Sequence, residues 1–555
     1  MFLNKNIKTI LILFIIIALG LFIRLSYLNK PEGLWNDEYL SWWISSFEFG
    51  KPLFEKIFYN CHMPIYYFFL KIWCTLFGNS DIALRISSVF IGILNITLLF
   101  FLGITYKDNK LGLICAAFGC VSSFLIYFSQ EVRLYSLIFF FSILIAIYFI
   151  KTLKKTNLKN IILYAIFNLL LLLTHTISFV YVFFNIVIFT ILLLKQKPNF
   201  KKQIFTTYIV TLIAFIPIIP FIITILTRQN LSQNWGIINF SKIFFVFGDY
   251  LTPIQNNITN SPINLITYIN TNEIISKIIF FLIPFCIAVY FIIKGLMYSN
   301  TILKAINLCG LLYFIILIIA AFLGKLVLST KYSIEIYPAL ILLISVGLYE
   351  QRTKLTKILT VMYFGLTLFY ICFNPNAPQK LNRPEGHKTP VSLLIQSGLA
   401  QDDYIISLYH QIYRYEKYLP FIPQNVFELN KASTPIYLMG HPNGEKELKL
   451  YGKQELKNAF LFQNDTDINK RFDSIFENSP KGEVIRIIIP TQVSFFSSND
   501  LKRIASDDKL YKSTEIMFLA FSLAKIKLIN TAFKYCDYIG MQEKDVWVIL
   551  NFIKK

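Results

Sequence analysis

YAIFNLLLLLTHTISFVYVFFNIVIFTILLL, Tyr164 to Leu194, holds two apolar segments joined by one short polar corner around His175. No water-facing surface tolerates such runs, whereas an α-helix needs about 20 mostly apolar residues to cross a bilayer core. The stretch therefore reads as two membrane spans and a turn. Similar blocks lie on either side, beginning with ILILFIIIALGLF at Ile10–Phe22. Along the chain they predict eleven spans, at 8–28, 82–105, 111–127, 134–150, 160–174, 176–194, 205–226, 276–293, 303–323, 335–349 and 357–373. Composition agrees: of 555 residues, 55% are hydrophobic and 17% aromatic, with a mean hydropathy of +0.56. The first run follows Lys5 and Lys8, is of spanning length and is not followed by a small-x-small cleavage site, so it reads as a retained span.

A net charge of +21 in a soluble protein would point to nucleic acid. Here the basic residues gather in short loops between spans, where they set orientation, and no nucleic-acid partner is expected. Placing the N-terminus in the cytoplasm puts Lys107 and Lys110, then Lys151, Lys154, Lys155 and Lys159, then Lys195, Lys197, Lys201 and Lys202 on the inner side. Lys294, Lys304, Arg352, Lys354 and Lys357 follow, and the acids among these loops are only Asp108 and Glu350. The outer side then holds 29–81, FSQEVR, the His175 corner, 228–277, KLVLSTKYS and everything after about 375. Of the eight cysteines, Cys115, Cys120, Cys286, Cys309 and Cys372 fall within spans and no CxxC occurs, so they read as small core residues.

Near Pro375, Pro378, Pro384 and Pro390 the character changes. Charge rises, and YIISL (Tyr404–Leu408), VIRIIIP (Val484–Pro490) and DVWVIL (Asp545–Leu550) read as strands alternating with helical stretches such as SSNDLKRIASDD. The expectation is a transmembrane domain over 1–374 and a small extracytoplasmic α/β domain over 375–555.

Chemistry-bearing residues crowd the outer face. GLWNDEYLSWW (Gly33–Trp43) sets Asp37 and Glu38 among three tryptophans at the membrane boundary. The tryptophans fit interfacial anchors, while a carboxylate beside apolar surface has a tunable proton affinity and can serve as a base. His62 precedes a run from Tyr66 to Phe77 that reads as a helix on the membrane surface. Arg85 lies just inside the second span, where an arginine ordinarily has a partner or a job. Glu131 and Arg133 share a tight turn with Gln130 and Tyr135, as a local ion pair or as part of a site. His175 either caps its corner or serves the same site. Lys325, Lys331 and Tyr332 enter the tenth span from outside, as snorkelling side chains or as cations for a phosphate.

In this order these residues resemble the GT-C-fold glycosyltransferases that use polyprenyl-phosphate sugars. The likeness is greatest to the protein O-mannosyltransferase and aminoarabinose transferase branch, and there to the bacterial enzymes described as RgtA/B/C/D-like. It is carried by Asp37-Glu38, by HMPIYYFFLKIW leading to LFGNSDIALRISSVFIGIL, and by SQEVRLYS, THTISF and KYSIEIYPAL, across residues 8–350. His62-Met63-Pro64 departs from the His-Pro-Pro often found in relatives. The resemblance implies transfer of one sugar from a polyprenyl-phosphate donor to an extracytoplasmic lipid, glycan or protein acceptor. Asp37 would be the base and Glu38 would shape the acceptor site. Arg133, Lys325, Lys331 and Tyr332 would hold the donor phosphate, positioned with Arg85, Glu131, His62 and His175. The outer loops before residue 375 hold no Asp-x-Asp and no histidine cluster, so no obligatory metal or other cofactor is expected. A composition rich in Ile, Lys, Asn and Phe points to a bacterium, hence an inner-membrane protein and an undecaprenyl tail. The contrasting class is a transporter or flippase of a lipid-linked sugar, for which paired Gly/Pro-broken helices and an inverted repeat would be needed and are not found.

Overall fold

The computed structural model describes residues 2–29, 33–60, 62–196, 198–201, 240–254, 275–323, 328–350, 353–374, 388–407, 417–418, 425–428, 473–474, 476–490, 528–544 and 547–555, with isolated positions between 205 and 223 and residue 377. The chain divides into two compact units. The first comprises Met1–Lys30, Leu40–Ser232 and Ile238–Leu381, and the second Pro31–Tyr39, Gln233–Ile237 and Asn382–Lys555.

The first unit is helical, and it makes the chain a multi-pass membrane protein. Its elements are α1 (Phe2–Leu25), α2 (Asn36–Ser46, which begins in the second unit), α3 (Lys51–Tyr59), α4 (Pro64–Phe77), α5 (Asp81–Tyr106), α6 (Asn109–Val121), α7 (Ser123–Ser129), α8 (Tyr135–Lys154), α9 (Leu158–Leu172) and α10 (Ser178–Gln196). After them come α11 (Phe240–Leu251), α12 (Ile283–Tyr298), α13 (Thr301–Phe322), α14 (Tyr337–Glu350) and α15 (Lys354–Phe373). Of the eleven expected spans, seven are helices long and apolar enough to cross a membrane among the described residues. An eighth, expected at 111–127, is broken: α6 and α7 meet at Ser122 with a 63° bend. The segments expected at 160–174 and 335–349 form helices of 15 and 14 residues, the latter preceded by 3₁₀ turns at Thr330–Tyr332 and Ile334–Ile336. The span expected at 205–226 lies almost wholly outside the described residues. A π segment, Ile278–Leu282, leads into α12, where Pro284 has no amide proton to donate to the preceding turn.

Packing follows from small and branched apolar residues. Ile23, Ile96, Phe100, Ala116, Cys120, Val121, Ile126 and Ile371 form one core where α1, α5, α6, α7 and α15 meet. Helices α12 and α14 touch through Gly295 and Gly347: a Cβ on Gly347 would sit 2.0 Å from the Phe291 carbonyl oxygen, so only glycine permits the approach. The expected surface helix is α4. It buries Tyr66, Tyr67 and Leu70 and leaves Ile72, Leu76 and Phe77 exposed, an apolar face suited to lipid.

Polar loops sort to two ends. At one, Lys107 pairs with Glu350, Lys154 donates to the Thr105 carbonyl at 2.9 Å, and the Tyr349 hydroxyl donates to Asp108. These are loops expected on the inner side. Of the turns expected on the outer side, those at 175–178 and 330–335 join one another, as described below.

In the second unit, α16 (Lys388–Gln396) precedes a five-stranded mixed sheet: β1 (Tyr404–Ser407), β2 (Asn425–Glu428), β3 (Val484–Pro490), β4 (Cys536–Lys544) and β5 (Trp547–Lys554). The order is β2-β1-β3-β5-β4, with β1 parallel to β2 and β3, and β5 antiparallel to β3 and β4. Three strands match the expectation, while β2 and β4 were not foreseen. Residues 425–428 are four in number, and Cys536–Lys544 is half polar with Gly540 at a bulge. The helical reading of SSNDLKRIASDD lies outside the described residues. Within the sheet, buried Arg486 donates to Asp403 at 2.9 Å, to Asn551 at 2.9 Å and to the Gly398 carbonyl at 2.9 Å.

Candidate active site

The break between α6 and α7 builds one side of the site. Where the helix stops at Val121, the carbonyls of Gly119 and Cys120 lose their usual donors four residues on. Arg24, buried in the last turn of α1, supplies replacements: its guanidinium lies 2.8 Å from the Gly119 oxygen and 3.1 Å from that of Cys120. The Ser122 hydroxyl caps α7 by accepting from the Leu125 amide at 3.3 Å, and lies 2.9 Å from the Tyr337 hydroxyl. The short helix α7 then delivers the 130–136 turn. Gln130 donates to the carbonyls of Arg24 (2.9 Å) and Ser26 (3.0 Å), closing the end of α1. The Glu131 carbonyl accepts from the Ser88 hydroxyl at 2.6 Å and from the Arg133 amide at 2.7 Å. Both side chains of the turn, Glu131 and Arg133, are buried. Arg133 donates to the Ser41 hydroxyl at 3.3 Å and lies 6.0 Å from the Tyr135 ring.

The second side comes from the 330–336 turns. Tyr135 lies within electrostatic reach of Lys331, Arg133, Tyr332 and Glu131, which come from two segments about 200 residues apart. The Lys331 ammonium stands 5.1 Å from the Tyr332 ring, and that ring lies parallel to His175, 6.1 Å away with a 6° tilt. Behind them Glu335 is fully buried. It accepts from the Ser178 hydroxyl, lies 3.8 Å from His175 Nδ1 and takes a 3.3 Å contact from the Tyr313 hydroxyl. A second buried carboxylate, Asp249 on α11, accepts from the Thr330 hydroxyl at 2.7 Å, and Tyr250 bonds Ser333 at 2.8 Å. The first turn of the 330–336 segment is thus held from α11 and α13, and its second from α10 and α13.

The remaining expected residues stand as follows. Asp37 and Glu38 occupy the first turn of α2, where the helix dipole favours negative charge. Asp37 is half-buried, while Glu38 is fully buried and accepts from the Trp35 amide at 3.3 Å, half of a capping box. Glu38 therefore has a structural task at the start of α2. Trp35 also accepts from the Tyr39 amide at 2.8 Å, and the Leu34 amide donates to the Tyr418 hydroxyl at 2.8 Å. Arg85 is buried and donates to the Leu28 carbonyl at 3.1 Å. His62 is half-buried, 5.5 Å from the Tyr67 ring, and the start of α4 is tied to the His175 corner by the Ile65 amide donating to the Leu173 carbonyl at 3.1 Å. Lys325 lies outside the described residues.

Sequence reading missed Arg24, Asp249, Ser178 and Tyr313 and gave Glu335 no task. Arg24 carried a signal, being an arginine inside an apolar run. Ser178 and Tyr313 carried none, since hydroxyls are common in spans and only the fold brings them to Glu335. Among the described residues, no group of three or more His, Cys, Asp or Glu side chains could hold a metal ion.

No family model and no curated protein matches the chain. In outline the chain is similar to ArnT. That protein, from Cupriavidus metallidurans, has been solved in the apo state and bound to undecaprenyl phosphate; the TM-score is 0.48 at 10% identity, over 97% of each chain. AglB, an oligosaccharyltransferase from Archaeoglobus fulgidus solved with an inhibitory peptide and a dolichol-phosphate, gives a TM-score of 0.48 at 9% identity, over 99% of this chain and 74% of that one. Both neighbours are glycosyltransferases of the GT-C fold.

Proposed function

We propose that this chain is a membrane glycosyltransferase that moves a single sugar from a polyprenyl-phosphate donor to an acceptor hydroxyl on a lipid, glycan or protein outside the cytoplasm. The observation that carries the reading is that Arg133 and Lys331, from segments about 200 residues apart, both act electrostatically on Tyr135, with Lys331 beside the Tyr332 ring, at one end of an apolar helical bundle. A lipid phosphate positioned by its tail in the bilayer needs that charge when it leaves. Ser41, which accepts from Arg133, lies four residues after Asp37 in α2, hence on the same helix face.

In this reading Asp37 takes the proton of the acceptor hydroxyl as its oxygen attacks the anomeric carbon. The carbon–oxygen bond to phosphate breaks, and its electron pair leaves with the lipid phosphate, held by Arg133 and Lys331, with Lys325 assigned the same role from sequence. Glu131 and Arg85 orient these groups, and His62 and His175 border them. The topology that suits this chemistry has a cytoplasmic N-terminus and an extracytoplasmic C-terminal domain. The test supplies purified protein with radiolabelled undecaprenyl-phosphate sugars and a membrane extract as acceptor source. Sugar release that needs the extract is expected for the wild type, and Asp37→Asn should lower it about 10²–10⁴-fold while membrane insertion is kept. Near-normal release by Asp37→Asn would remove the base assignment. Movement of the lipid between vesicle leaflets without release would make the protein a flippase.

A further inference from the structure

Glu335 is a carboxylate with no exposed surface inside a helical bundle, and such a group persists only when donors surround it. Its partners come from three separate elements. Ser178, at the start of α10, donates its one hydroxyl proton to Oε1. The Ser178 oxygen is then left to accept, and His175 Nδ1 stands 3.4 Å from it and 3.8 Å from Glu335 Oε1. Both of these neighbours call for a proton on the nitrogen that faces them, because one oxygen has already given its hydrogen and the other has none. On α13, the Tyr313 hydroxyl sits 2.6 Å from the Tyr332 carbonyl oxygen and 3.3 Å from Glu335 Oε2, sharing its proton in favour of the shorter contact. The rings of His175 and Tyr332 lie parallel, with Lys331 over Tyr332.

We propose that Glu335 is a positioning residue: through Ser178 it holds His175 with its proton on Nδ1, and through Tyr313 it fixes the Tyr332 backbone, so that the paired rings and Lys331 stand in register for the lipid phosphate. This rests on the donor reading above.

The test measures binding of undecaprenyl phosphate and of phosphate-free undecaprenol to the full-length protein in lipid nanodiscs. Glu335→Gln should weaken undecaprenyl phosphate about tenfold and leave undecaprenol unchanged. Ser178→Ala, a one-atom deletion that also guards against a misfolded glutamine variant, should act in the same direction. The double variant should bind no more weakly than the weaker single one, because the two side chains act through one relay. Wild-type affinity for undecaprenyl phosphate in both single variants would overturn the inference and leave the donor reading standing. Equal loss of both lipids would reduce Glu335 to a purely structural residue. A wild type that does not prefer undecaprenyl phosphate over undecaprenol would sink the donor reading, and the inference with it.

Discussion

Arg24 and Arg486 are both buried, one in each unit, and the surroundings that accept them differ. Arg486 meets a carboxylate, Asp403, together with a side-chain amide and a carbonyl. Arg24 donates to three backbone carbonyls, those of Gly20, Gly119 and Cys120. Most backbone acceptors between paired strands are already engaged in the ladder, so an arginine there turns to another side chain. The helical unit breaks a span at Ser122 and so creates orphan carbonyls where water is scarce, and a guanidinium with five donors is well matched to them. A buried cation is thus half of an ion pair in one unit and a helix cap in the other.

The contrast sets an order of expected effects. Arg486→Ala leaves the Asp403 carboxylate buried and uncompensated, a loss of about 3–5 kcal/mol. Cys536, buried on β4, should then become reactive to thiol reagents at a much lower temperature. Pairing Arg486→Met with Asp403→Leu should restore most of that loss, since the charges leave together. Arg24→Met orphans dipoles instead of a charge, which predicts a smaller loss of roughly 1–3 kcal/mol, read by earlier labelling of buried Cys120. No second substitution should rescue it, because the groups left behind belong to the backbone. If Arg24→Met proves more damaging than Arg486→Ala, the distinction between the two burials is wrong. The smallest effect is expected at Gly92→Ala: the added Cβ would fall 2.6 Å from the Ser129 Cβ and 3.4 Å from Arg24 Nε, pushing α7 off its seat for about 1 kcal/mol. Transfer activity should fall more than the thermal midpoint in this variant, as α7 leads directly into the turn bearing Arg133.

The same contrast explains what could be read in advance. Spans were legible because a bilayer demands long apolar runs whatever the neighbours are. The strands at Tyr404–Ser407, Val484–Pro490 and Trp547–Lys554 were legible because they are rich in branched residues. The break at Ser122 was not, since SSF in an apolar context has good local reasons to continue as helix and no glycine or proline to stop it. It is stabilised by Arg24 from α1, which donates to the freed carbonyls, and by the Tyr337 hydroxyl from α14, which gives its proton to the Tyr250 carbonyl and accepts from Ser122; both partners are distant in sequence. Likewise Asp37 and Glu38 look equivalent on paper. Glu38 turns inward to cap α2 because it sits three residues after Trp35, the residue whose amide it reaches.

Residue types and their order were enough to establish a polytopic helical chain and a change of character after about residue 375. Hydropathy is a property of each segment against its solvent, so it survives without a fold. The depth of Arg24, the bend at Ser122 and the serine–histidine–tyrosine shell around Glu335 arose from helix packing. Their energies come from donors and acceptors satisfied across long sequence separations, and those pairings exist only once the helices have met.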